Sequence, residues 1–146
     1  MLKKIKIKVN SHIENLDAYG LADGDAEVSE NAYDGFMRIT GNEIKLSYKD
    51  NTESGTVASD ILIRDGKVTV ARTGAIVSTM YFSENEEYKT VYELVPYKFD
   101  MTLKTKRIRN CISDSGGELS IIYAMDVGGA EKKCRMNISV SEVKIG

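Results

Sequence analysis

Apolar and polar side chains alternate along most of this chain. In the first segment Ile5, Ile7 and Val9 fall on one side and Lys4, Lys6 and Lys8 on the other. That period of two marks a β-strand with one buried face. It recurs at Ile44, Leu46 and Tyr48, at Val68 and Val70, and at Tyr88, Thr90 and Tyr92. Tyr97, Phe99, Met101 and Leu103 give the cleanest example. Leu119, Ile121, Tyr123 and Met125 follow, and Cys134, Met136, Ile138 and Val140 close the series. Gly41-Asn42, Asp65-Gly66 and Gly128-Gly129 separate such runs and carry the glycine or asparagine that tight hairpin turns demand.

Three places depart from simple alternation. The polar stretch from Asn10 to about Asp25 reads as a loop or, from the Ser11 and Glu14 spacing, as a short capped turn. Between Glu27 and Thr40 the parity changes. Val28, Glu30 and Ala32 share a face, then Met37 and Ile39 take over the apolar role, which predicts a bulge or tight bend near Asp34-Gly35. Asp50 to Thr56 reads as a polar loop. The whole gives nine or ten strands joined by short connections, and therefore antiparallel neighbours. A sheet of that length must curl to cover its apolar face. The expected fold is all-β, a single antiparallel up-and-down barrel of about eight to ten strands, with a two-sheet sandwich as the alternative.

Composition narrows the picture. Ile and Val number 25 against 17 for Leu and Ala, which argues against a helical bundle. At 146 residues one domain spanning 1–146 is expected. A hydrophobic content of 42% argues against disorder. The net charge of −2 gives no global basic field to draw in nucleic acid, which is not expected as a partner. One histidine and two cysteines leave little room for a zinc site, and neither a metal nor a cofactor is expected. No signal-peptide pattern and no long apolar run occur, so a cytoplasmic chain without membrane attachment is expected.

Short fragments then carry a family resemblance. Tyr48-Lys49-Asp50, Arg72-Thr73-Gly74, Tyr88-Lys89-Thr90-Val91-Tyr92, Thr105 and Ile122-Tyr123 follow one another in order and spacing. The chain resembles the YwiB-like family of small bacterial proteins, over nearly its whole length. The resemblance implies a calycin-like barrel, related in shape to lipocalins, with no established activity to carry over. Asp50 stands where that family usually has glutamate. Val91 and Glu93 replace a proline and a glycine.

The candidate site residues are those that break the pattern or line the expected interior: Arg72, Glu30, Tyr48, Tyr88, Thr90, Tyr92 and Tyr123. Arg72 shares the face of Val68 and Val70, and a charge inside a barrel is costly unless paired. It either receives an anionic ligand, with Glu30 orienting it, or makes a structural ion pair near the strand end. The tyrosines suit a ligand pocket or a packed core equally. The basic run 104–109 is either a solvated outer face or, less simply, an RNA-binding one. The leading functional expectation is a binding module without enzymatic activity, for a small ligand or a protein partner, and a homo-oligomer is compatible with it. The alternatives are an enzyme using Arg72 and interior carboxylates on a small anionic substrate, or an RNA-associated factor.

Overall fold

The structure, a computed structural model, describes residues 1–143. Ten strands follow in order: β1 (Leu2–Asn15), β2 (Glu27–Thr40), β3 (Glu43–Thr52), β4 (Gly55–Arg64), β5 (Lys67–Gly74), β6 (Ile76–Phe82), β7 (Glu87–Leu94), β8 (Tyr97–Asn110), β9 (Gly117–Val127) and β10 (Ala130–Glu142). Each pairs with its neighbour in sequence, and β1 pairs antiparallel with β10. The result is the closed antiparallel barrel that the alternation predicts. Asp65 and Gly66, with φ of 50° and 72°, make the two-residue β4–β5 turn. Both central residues of such a turn must be left-handed, which asparagine, aspartate and glycine tolerate best.

Strand direction divides the barrel into two ends. Where β1 begins and β2 finishes, Ile5, Ile7, Leu46, Ile61, Val68, Phe82, Leu119 and Ile121 fill the interior and are buried. The loop after β8 adds Ile112, also buried, whose N–H donates to Asn110 Oδ1 at 3.0 Å. This is the packed end. At the other end β1 finishes, β2 begins, and the interior is only partly filled.

Several expectations are corrected. β1 does not stop at Val9. Ser11 and Ile13 continue its inward parity, and ladder partners on both β2 and β10 hold it as far as Ile13. No bulge occurs at Asp34-Gly35, because β2 keeps one register against β1 throughout. Its inward positions are the odd ones, so Val28, Glu30 and Ala32 face outward and are exposed. Gly35 serves another need. A Cβ there would run into the Ser47 carbonyl oxygen and lie 2.9 Å from Ile7 Cδ1. The predicted loop at Asp50 to Thr56 is mostly ladder, paired up to Thr52 and Gly55, with only Glu53 and Ser54 left for the turn. Among the described residues the one register shift falls in β8, between Thr105 and Arg107.

Two seams weaken the wall. β2 pairs with β3 only from Gly35 onward, so the two strands part toward the open end. β6 and β7 pair only through Ile76–Leu94 and Val77–Glu93.

Candidate functional site

The open end encloses a cavity of about 420 Å³. Its wall is mainly apolar: Met80, Met101, Met125, Met136, Phe99, Val127 and Ile13. Four of the six methionines in the chain gather here. Unbranched and polarisable, methionine adapts to irregular shapes, which suits a surface that must fit a guest. Ser11 and Ser29 lie at the rim, and Tyr92, Tyr123 and Arg72 complete the lining.

Arg72 reaches this cavity because β5 alternates without interruption. Val68 and Val70 point inward and are buried, and Arg72 is the next residue of that parity. It stands in the ladder between Ser59 on β4 and Ser78 on β6, both 3% exposed. The Ser78 hydroxyl is buried with no hydrogen-bond partner among the described residues. Among those residues the ion pairs join Lys3 to Glu142, Lys6 to Asp34, Lys8 to Glu30 and Arg64 to Asp65. None involves Arg72. A guanidinium thus enters an apolar cavity without a carboxylate partner, beside an unsatisfied hydroxyl.

Tyrosines surround that charge. Tyr33 and Tyr48 stack with ring centroids 4.5 Å apart and planes at 20°. Tyr33 Oη donates to Asp50 Oδ2 at 3.1 Å, a tie between β2 and β3 close to the point where they part. Burial, then the Asp50 charge, pushes the Tyr33 hydroxyl up to about 12, while the Arg72 charge pulls the other way. Tyr123 meets Phe82 edge-on at 4.8 Å and forms the floor between cavity and core. Burial raises its pKa, again against the pull of Arg72. Cys134, opposite Tyr123 in the ladder, is a buried free thiol that burial pushes up to about 11.

The sequence candidates therefore separate. Arg72, Tyr92 and Tyr123 meet at the cavity. Tyr48 lies just below, stacked on Tyr33 and in register with Ser59. Thr90 faces inward opposite Met101, half-buried. Tyr88 sits farther toward the packed end, opposite Leu103, and leans on Tyr81 across the β6–β7 seam at 5.6 Å. Glu30 is placed elsewhere. It is on the outer face, paired with Lys8 at 2.6 Å, and so cannot orient Arg72 inside the barrel. The apparent parity of Val28 and Ala32 misplaced it, because both are exposed apolar residues on the outside. The methionine wall, Ser78 and the Tyr33–Asp50 tie were missed from sequence. The methionines were visible as inward positions of β6, β8, β9 and β10, but methionine at such positions reads first as core.

Comparison with known proteins agrees with the barrel. A family model described as "Domain of unknown function (DUF1934)" matches residues 7–138. The uncharacterized beta-barrel protein YwiB of Bacillus subtilis (strain 168) is 28% identical over 128 residues, spanning 88% of this chain and 85% of that protein. The crystal structure of the ywiB protein from Bacillus subtilis superposes with a TM-score of 0.86 at 26% identity. That match covers 98% of this chain and 94% of the other.

Proposed function

The chain belongs to the DUF1934 family, a domain of unknown function, and from its own geometry we propose that it is a binding module whose open end holds a small amphipathic anion. The observation that carries this reading is the Arg72 guanidinium, unpaired in an apolar cavity. Burying a charge without a partner is unfavourable, and a carboxylate or phosphate group would supply the partner. A guanidinium can grip such a group with two parallel hydrogen bonds. Ser78, the ladder partner of Arg72 on β6, carries a buried hydroxyl that has no hydrogen-bond partner among the described residues. The methionines, Phe99 and Tyr92 then take the apolar portion of the ligand. A cavity of about 420 Å³ falls in the range of small-ligand sites.

An enzyme acting through Arg72 and interior carboxylates is the weaker reading. Glu30 lies outside, and Asp50 is engaged by Tyr33. The test is a fluorescence titration with anilinonaphthalene sulfonate, followed by displacement with decanoate or decanol. Decanoate is expected to displace the dye at concentrations at least tenfold below decanol, and Arg72→Met to abolish that preference. Equal displacement by acid and alcohol, or an unchanged preference in Arg72→Met, would overturn the reading.

A further inference from the structure

The outer face over β8, β9 and β10 carries a second feature that the cavity does not use. Lys104 and Thr105 alternate outward and inward as β8 requires. The extra residue, Lys106, then resets the parity, so that Arg107 faces outward, Ile108 packs against the core and Arg109 faces outward again. Without that shift Arg107 would point inside. On β10, Lys133 and Arg135 are exposed and face outward, with the exposed Glu131 two residues before them. The ladder places them two strands away, in rows Lys104–Ala124–Lys133 and Arg107–Ile122–Arg135. Two rails of cations therefore run along β8 and β10, about 10 Å apart by two strand spacings. Successive outward cations on one rail are roughly 7 Å apart.

Between the rails the floor is β9, where Ser120, Ile122 and Ala124 offer small or apolar side chains. The floor is concave. One depression of about 750 Å³ and another of about 370 Å³ share Ile122, forming a groove along β9. Asn10 lines the larger one, and its Oδ1 is buried without a partner among the described residues. The neighbouring carboxylates are Glu87 opposite Lys104, Glu14 opposite Lys133, Glu118 and Asp126 on β9 and Glu131 on β10, and none forms an ion pair with the rails among the described residues. The concentration of cations here contrasts with the net charge of −2 for the whole chain.

We propose that this groove binds single-stranded RNA, its phosphates held by the rails and its bases laid on the β9 floor. Rails about 10 Å apart admit a single polynucleotide strand but not a duplex. Phosphate contacts dominate such binding and make it salt-dependent. With no aromatic side chain on the floor, sequence preference is expected to be weak. The proposal is independent of the anion cavity, which opens at the barrel end.

The experiment is fluorescence anisotropy with a labelled mixed-sequence 20-nucleotide RNA, at several salt concentrations. The expected result is saturable binding with a plot of log affinity against log salt falling by about 3 or more, since each phosphate contact on a single strand contributes about 0.7. The double variant Arg107→Glu/Arg135→Glu is expected to lose at least tenfold in affinity. Lys45→Glu/Lys67→Glu, two exposed lysines on β3 and β5, is expected to change it less than twofold. Circular dichroism checks that both variants fold. Equal loss in the two variants, tighter binding of the same sequence as a duplex, or equal binding of polyglutamate would each overturn the proposal.

Discussion

The two ends of this barrel are made from the same ten strands, yet one is solid and the other is hollow. At the packed end the fully buried inward residues of β1, β3, β5 and β9, Ile5, Ile7, Leu46, Val68, Leu119 and Ile121, are aliphatic, and Phe82 closes the centre. At the open end the same strands continue with Ser11, Asp50, Arg72 and Met125. β2 separates from β3 there, with Tyr33 and Asp50 hydrogen-bonded across the gap. The comparison shows how one fold divides labour. Burial of apolar surface at one end supplies the stability that lets the other end keep an unpaired charge and a cavity.

The largest effect should come from the packed end. Phe82→Ala removes a fully buried ring and is expected to cost about 3–5 kcal/mol by urea denaturation. Met125→Ala, half-buried at the cavity wall, is expected to cost about 1 kcal/mol or less, because solvent already reaches the site. Similar losses at both positions would erase the distinction between the ends.

Arg72→Met sharpens the comparison from the other side. Removing a charge that lacks a partner is expected to leave stability within about 1 kcal/mol of the parent, or to raise it slightly. A loss of several kcal/mol in the same denaturation measurement would mean that Arg72 holds the wall together, as a structural ion pair would.

Alkali should act on the open half. The Cys134 thiol ionises near 9.0 in the unfolded chain but only at about 11 when folded. The Tyr33 hydroxyl moves from 10.0 to about 12. In both cases the unfolded chain gives up its proton first. Stability is therefore complete below pH 9 and declines as pH rises toward 11 and beyond. Thermal melts from pH 8 to 11 are expected to show that fall, and Tyr33→Phe to reduce its part above pH 10. A melting temperature that stays level across the range would remove both groups from the account.

The smallest effect concerns the thiols. Cys111 is exposed and Cys134 is buried. In the native protein, Ellman's reagent at pH 8 is expected to titrate Cys111 quickly and Cys134 only after denaturation. Two fast thiols would show that the β9–β10 wall opens readily.

Much of this was legible along the chain. Alternation placed nearly every strand, and the hairpin glycines placed the turns, because both depend on local geometry. The true bulge was also written there, as the adjacent polar pair Lys106-Arg107 within an alternating run. The false one at Asp34-Gly35 arose because Val28 and Ala32 are apolar residues that face outward, and one sequence cannot show which of two half-apolar faces is inside. That same ambiguity put Glu30 in the interior. Arg72 was found because β5 is unambiguous. What no pattern could give was the divergence of β2 from β3, which depends on where pairing stops across two strands. It is that divergence, together with the methionine wall, that makes the open end hollow.

The central claim is that the small amphipathic anion is recognised at the open end. Two-dimensional amide NMR of the intact chain, titrated with decanoate, tests it most directly. The account predicts shifts concentrated at Arg72, Ser78, Tyr92, Met125 and their ladder neighbours, with Ile5, Val68 and Leu119 unmoved. Shifts centred on the packed end or on the outer face, or no shifts at saturating decanoate, would contradict it.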